Sequence, residues 1–244
     1  MKKKIISLLM VSVLFSTTVA LPVFAEEDAQ VIVDEEEVVI DDNIVTNEST
    51  GLELYAVDTD ASATAQDVTV NYDSGRVNLA GGACADAGSG ISDVTAYVGV
   101  DNVNVTTKDT RETVGIQAYS QNGGNAIVEA AGVTVNSDAA VVPGFNVLTV
   151  GVDATTKNGV AVAVVNDDVN VTGAEGLTVG IKSVAGGNDG VSGVFSNGNI
   201  NVTSQDESAG VYVVGKNGGS AGVIFGDGES AEMTVRSKQM ARSL

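Results

Sequence analysis

The sequence predicts an all-β fold, a parallel β-helix (solenoid) of about five three-strand coils. Three observations predict it. A strand phrase of the form Val-x-Val recurs at intervals of 30 to 36 residues, and periods of this length are typical of solenoids and repeat arrays. Apolar and polar residues alternate with period 2 inside the phrases, as in a strand. The apolar residues are mostly Val, Ala and Ile, and β-branched side chains suit a pleated surface.

The first strand of each predicted coil is the Val-x-Val phrase itself. Tetratricopeptide and ankyrin repeats share the period, but they require helical patterns of period 3.6, and the chain shows none. The phrase occurs as VTVNYDS at 68, VNVTTKD at 103, VTVNSDA at 133, VNVTGAE at 169, INVTSQD at 200 and MTVRSKQ at 233.

The second and third strands flank a glycine-rich corner. The second carries TVGI or a variant, as in Val114 and Ile116, and the third follows the corner, as in Ile127 and Val128. The corners contain Asn-Gly or Gly-Gly, which tolerate positive φ. A single unit cannot bury its apolar side, whereas stacked units bury Val on Val at roughly 4.8 Å per coil. Asn-Gly between strands also predicts hairpins, so an antiparallel β-sandwich remains the alternative.

The ends of the chain differ from the repeats. Residues 1–25 read as a secretory signal peptide, with Lys2 to Lys4 before an apolar run and Val23-Phe24-Ala25 at the cleavage site. Residues 26–66 are an acidic leader that we expect to be partly disordered, because dense like charges oppose a compact core. The repeats occupy residues 67–236, and a short basic tail occupies residues 237–244.

Charge and composition limit the partners. The formal net charge is −20, and such a surface repels nucleic acid and anionic lipid, which bind to clustered Lys and Arg. We therefore expect no nucleic-acid partner, and no membrane partner once the signal peptide is removed. Cys84 is the only cysteine, so no internal disulfide can form.

The repeated phrases resemble those of a known architectural group. The Val-x-Val-(Thr/Asn) strands and the VGI…NGG…V corners resemble secreted bacterial β-strand-repeat proteins, similar to the right-handed parallel β-helix passengers of adhesins and autotransporters and to pectin-lyase-like domains. The resemblance covers about residues 67–236. It implies surface exposure and a role in interaction, and it supplies no catalytic motif.

Catalytic and cofactor chemistry has no sequence support. The chain has no histidine to act as the base of a hydrolytic triad. Its carboxylates are numerous, but they show no spacing typical of a calcium loop. We therefore predict no catalytic, cofactor-binding or metal-binding residues, and a protein that is not an enzyme.

One face of the first strand is the candidate binding surface. Outward residues of the stacked phrases would form two columns of Thr and Asn, suited to a glycan. The same residues also suit a purely structural role, because Thr favours strands and Asn can form side-chain ladders between coils. The ten candidates are Thr69, Asn71, Asn104, Thr106, Thr134, Asn136, Asn170, Thr172, Asn201 and Thr203.

The expected function is that of a secreted or cell-surface, non-catalytic, adhesin-like structural protein. Its expected partners are a glycan or a host or neighbouring cell surface, together with end-to-end self-association. One alternative is a lyase or hydrolase acting on a polysaccharide, built on the same scaffold. Another alternative is a fragment of a larger surface protein, because the unit that begins at Met233 stops after twelve residues.

Overall fold

The computed structural model describes ten segments of the chain. These are residues 30–33, 37–57, 59–73, 79–88, 94–121, 124–138, 147–187, 190–217, 219–226 and 233–237. The predicted signal peptide and residues 238–244 of the predicted tail lie outside them.

All the regular structure described is β. The eighteen strands are β1 (Gln30–Val33), β2 (Glu37–Ile40), β3 (Ile44–Thr46), β4 (Thr50–Val57), β5 (Ala61–Tyr72), β6 (Leu79–Gly88), β7 (Ala96–Lys108), β8 (Glu112–Ser120), β9 (Ala126–Asp138), β10 (Leu148–Thr156), β11 (Val160–Val165), β12 (Val169–Gly173), β13 (Leu177–Ala185), β14 (Val191–Ser196), β15 (Ile200–Ser204), β16 (Glu207–Gly215), β17 (Ser220–Phe225) and β18 (Met233–Ser237).

The strands form two sheets. The narrow sheet has seven strands in the order β1-β4-β6-β8-β10-β13-β16, and the wide sheet contains the other eleven. Every strand pair among the described residues is parallel, and the chain alternates between the two sheets as it advances. The predicted parallel β-solenoid is therefore confirmed, and the antiparallel sandwich is wrong.

The three-strand coil is clearest in the later repeats. The coil that starts with β10 continues with β11 and β12, which are separate strands of the wide sheet. In the three coils that contain β5, β7 and β9, the corresponding two strands merge into one strand of twelve or thirteen residues. The corner between them is then only a bend, marked by two consecutive residues that both face outward, such as Asp101 and Asn102.

Both sheets extend on the N-terminal side of residue 67. Strand β4 pairs with β6 in the narrow sheet, and β2 and β3 pair with β5 in the wide sheet. The short apolar phrases within the acidic stretch 26–66 thus supply side chains to the core, among them Val38 and Leu54, which are fully buried.

The core lies between the sheets and is built from columns of small apolar side chains. Val105, Val135, Val171 and Val202 are register partners on successive strands of the wide sheet, and each is at most 1% exposed. Stacking one valine on the next removes their methyl groups from water without needing large aromatic residues.

A column of glycines in the narrow sheet faces these valines. A Cβ on Gly151 would lie 2.8 Å from Cγ2 of Val171 and 3.0 Å from Cγ1 of Val169. Gly115 and Gly180 face the equivalent pairs of side chains in neighbouring coils. The glycine of each TVGI phrase therefore lets the two sheets approach closely, since any side chain there would occupy the space of a core methyl group.

A polar trough on the wide sheet

The ten predicted Thr and Asn residues lie in two columns on the outer face of the wide sheet. Thr69, Asn104, Thr134, Asn170 and Asn201 are partners on successive strands. The second column follows the same strands two residues later. Its members are Asn71, Thr106, Asn136, Thr172 and Thr203. All ten side chains are partly or fully exposed.

A third polar column runs beside the first, one position before each Val-x-Val phrase. It begins with Asp67 and Asn102, continues through Gly132, and reaches Asp168 and Asn199 in the later coils. The sequence carried a signal for it, because Asp, Asn or Gly precedes each of these phrases. The Val-x-Val pattern begins at the first valine and therefore does not include the position before it.

Hydrogen bonds between coils fix several of these side chains. The Asn201 amide donates to Oδ1 of Asn170 at 3.0 Å, and the Asn102 amide donates to Oδ1 of Asp67 at 2.9 Å. Oδ1 of Asp168 accepts from the side-chain amide of Asn199 at 3.0 Å. Such ladders hold the polar groups in place, so a ligand that binds them does not have to order them first.

The first and third columns form the floor of a trough with a volume of about 480 Å³. Its floor rests on β5, β7 and β9, the three long strands that pass the bend without interruption. The lining residues are Asn43, Ile44, Val45, Asp67, Thr69, Asn102, Val103, Asn104, Gly132, Val133, Thr134, Asp167, Asp168 and Asn170.

Two turns form the ends of the trough. At one end, residues 41–43 separate β2 from β3, and at the other end, residues 166–168 separate β11 from β12. The second turn is anchored to β9, because the backbone N–H of Asp167 donates to the carbonyl of Ala131 at 2.6 Å. The backbone N–H of Val133 in turn donates to the carbonyl of Asp168 at 3.0 Å. Each turn places three residues opposite two residues of the neighbouring long strand, and residues of both turns line the trough.

The trough contains four of the ten predicted residues. Thr69, Asn104, Thr134 and Asn170 line it, whereas Asn201 lies one coil beyond its end. The second column lies on the same face but outside the trough. The sequence therefore located the face, and the structure shows which part of that face is concave.

The lining of the trough is acidic. Asp67 lies near one end, Asp167 and Asp168 lie at the other, and no Lys or Arg is among the described residues that line the trough. Within the described segments, no group of three or more His, Cys, Asp or Glu side chains is arranged to hold a metal ion. The chemistry available in the trough is hydrogen bonding by amides and hydroxyls, together with attraction of positive charge.

A second group of charged residues lies on the outer face of the narrow sheet. Asp153, only 1% exposed, accepts from Lys182 at 2.7 Å, from Gln117 at 3.2 Å and from the Thr155 hydroxyl at 2.6 Å. Burial raises the pKa of nearby Glu112. Both oxygens of Asp153 are engaged, so this group stabilises the sheet and offers little to a substrate.

Cys84 lies on the same outer face of the narrow sheet. Burial, reinforced by the carboxylates of Glu53 and Asp153, raises the pKa of its thiol to about 12. The thiolate is the nucleophilic form of cysteine, and this thiol stays protonated at neutral pH. Cys84 is thus a buried side chain of the scaffold.

The fold and the trough define the class of the molecule, a parallel β-solenoid with polar ladders on one outer face. Comparison of the chain with protein families, with curated proteins and with solved structures found no match. Among the described residues there is no helix of the length and apolar character needed to span a membrane.

Proposed function

We propose that this protein is a secreted or cell-surface repeat protein that binds a glycan, without catalysis, through the trough on its wide sheet. The observation that carries the proposal is the alignment of Thr69, Asn104, Thr134 and Asn170 along one concave surface. Sugars present closely spaced hydroxyls, and rows of side-chain amides and hydroxyls can both donate to and accept from them. The solenoid repeats these groups at each inter-strand step of roughly 4.8 Å.

A matched pair of double variants tests this function. Asn104→Ala/Thr134→Ala removes one amide and one hydroxyl from the floor of the trough. Thr106→Ala/Asn136→Ala removes the same two groups from the same two strands, but outside the trough. Both pairs are solvent-facing, so both variants should fold.

The measurement is binding of the purified chain to an array of oligosaccharides. Each lost hydrogen bond is worth about 1 kcal/mol, so the trough variant should lose roughly tenfold or more in affinity. The control variant should bind like the unmodified chain. Failure of every glycan to bind, or equal effects of the two variants, would contradict the proposal.

The proposed location has a separate test. The motif for export is the basic start, the apolar run and Val23-Phe24-Ala25. Expression in a secreting bacterium should give an extracellular chain that begins at Glu26. An intact Met1 on cytosolic protein would contradict export.

We also infer that the chain associates through the C-terminal end of the described solenoid. Val223, Ile224 and Phe225 of β17 are 40 to 56% exposed, whereas Val38 of the first coil is fully buried. Open strand edges with exposed apolar residues favour pairing between chains.

Sedimentation should show this association. Ile224→Asp should weaken it, whereas Val57→Asp, at an exposed valine of another coil, should leave it unchanged. A monomer at every concentration would contradict the inference.

A further inference from the structure

The trough is elongated along the solenoid axis, and its length limits the shape of a ligand. From β3 through β5, β7 and β9 to β12, its lining crosses four inter-strand steps, which is about 19 Å along the solenoid axis. Residues of the turns at 41–43 and 166–168 lie at its two ends. An extended chain running along the axis fits these limits, and each hexose of a β-1,4-linked glycan advances by roughly one inter-strand step.

Gly132 keeps the trough open on β9, one inter-strand step from its β12 end. The backbone does not need glycine there, because Gly132 is in an extended strand and is not among the residues with positive φ. A Cβ would meet only Oδ1 of Asn102 at 3.2 Å, the carbonyl of Asp168 at 3.7 Å and Cβ of Asp167 at 4.0 Å. The core glycines differ, since a Cβ on Gly151 would meet methyl groups of the core. The missing side chain of Gly132 therefore leaves space between neighbouring polar groups.

The charges of the trough limit the chemistry of the ligand. Asp67 lies on β5, one inter-strand step from the β3 end, and Asp167 and Asp168 lie at the other end, three steps from Asp67, which is about 14 Å. The floor between them is made of amides and hydroxyls. Because no Lys or Arg is among the described residues that line the trough, a carboxylate or sulfate on the ligand would meet repulsion, while a protonated amine would be attracted by both groups of carboxylates.

We propose that the trough binds a linear glycan of amine-bearing sugars, laid along the solenoid axis, with one sugar over Gly132. This inference rests on the proposed glycan-binding function and names the class of glycan. The ladder amides would bind the ring hydroxyls, and Asp67 and Asp167 would bind protonated amines near the two ends.

Three hexasaccharides and one peptide test the class of ligand by titration calorimetry at a pH where the sugar amine is protonated. The first is β-1,4-linked glucosamine, and the second is its N-acetylated form, which has the same backbone without charge. The third is an oligogalacturonate, which is anionic. Hexalysine separates recognition of a sugar chain from attraction of charge alone.

Two sets of variants test the residues. Asp67→Asn/Asp167→Asn removes two of the three carboxylate charges and keeps the oxygens that accept from Asn102 and from the Asp168 backbone. Gly132→Leu fills the floor. Ala131→Leu places the same side chain at the neighbouring outward position, which does not line the trough.

The glucosamine hexamer should bind best. The Asp double variant should reduce its affinity about fivefold, as expected for two exposed charge pairs, and should leave binding of the N-acetylated form unchanged. Gly132→Leu should abolish binding of both, and Ala131→Leu should have no effect. Equal or tighter binding of the galacturonate through Asn104 and Thr134 would overturn this inference and leave the proposed function standing.

The remaining outcomes are also decisive. Hexalysine binding as tightly as glucosamine would overturn the inference, because the trough would then select charge and not a sugar chain. Unchanged binding of the glucosamine hexamer to Gly132→Leu would overturn the placement over Gly132. Failure of every hexasaccharide to bind would overturn the inference, whereas the proposed function would be contradicted only if every glycan of the oligosaccharide array also failed to bind.

Discussion

Gly151 of the narrow sheet lies directly against Val171 of the wide sheet, and a Cβ on the glycine would come within 2.8 Å of Cγ2 of the valine. The two residues belong to columns that repeat in neighbouring coils, since Gly115 faces Val133 and Val135 and Gly180 faces Ile200 and Val202, so contacts of this kind let the two sheets approach closely.

The first prediction concerns this contact. Gly151→Ala should destabilise the protein by about 1–3 kcal/mol, because an added methyl group in a filled core forces shifts in side chains and backbone. Gly222→Ala is the control, since a Cβ on Gly222 would meet nothing within 4 Å. The check is the urea midpoint of each variant. Equal midpoints for the two alanine variants would show that the sheets do not approach closely at Gly151.

The second prediction compares two neighbours that face opposite ways. Val171 is 1% exposed, whereas Asn170 faces out and accepts from Asn201. Val171→Asp should cost several kcal/mol, because it places a charge in an apolar column. Asn170→Asp should cost little, since the carboxylate can still accept from Asn201 and reaches water. Similar unfolding free energies for the two variants in urea would reject this assignment of faces.

The third prediction concerns the buried carboxylate of Asp153. Lys182→Met should destabilise the protein by roughly 2–3 kcal/mol, below the range for a fully buried pair because the Lys182 side chain is 24% exposed. The matched control is Lys108→Met, which breaks an ion pair with Asp73 that is exposed on both sides. It should change stability little. Thermal unfolding would contradict this account if Lys108→Met were the more damaging change.

The fourth prediction is a pH dependence set by Cys84. The ordinary pKa of a cysteine thiol is 9.0 and burial raises the pKa of Cys84 to about 12, so the unfolded chain loses this proton first as pH rises. Stability contributed by the neutral thiol is therefore fully present below pH 9 and lost progressively between pH 9 and about 12. Cys84→Ala should show a smaller loss over that window in urea titrations. Identical pH profiles for the two proteins would contradict the buried, protonated thiol.

The same thiol gives a direct chemical readout. At pH 8 in the folded protein, iodoacetamide should modify Cys84 far more slowly than it does in urea, because the thiolate is the reactive form. Comparable rates with and without urea would indicate an accessible thiol.

The fold was predictable because its determinants are local and repeated. The Val-x-Val phrases alternate with period 2 and return at intervals of 30 to 36 residues, so the stacking of Val135 on Val171 followed from the sequence alone. The merging of two strands into β9 was not predictable. It depends on whether a corner contains a full turn, as at residues 166–168, or only the bend at Ala131 and Gly132.

The trough was predictable only in part. The outward direction of Thr134 follows from alternation within a strand, and the structure agrees. The shape of the trough depends on turns in coils that are far apart in sequence, since Asn43 and Asp167 lie at its opposite ends. A pattern read one repeat at a time contains no information about that juxtaposition. The role of Gly132 likewise appears only when its neighbours across the coils are known.

The most direct test of the trough as a binding site is a crystal structure of the chain with the β-1,4-linked glucosamine hexasaccharide. The predicted result is a sugar chain parallel to the solenoid axis, with hydroxyls within hydrogen-bond distance of Asn104 and Thr134 and a sugar over Gly132. A hexasaccharide bound on any other surface, with the trough empty, would contradict the account.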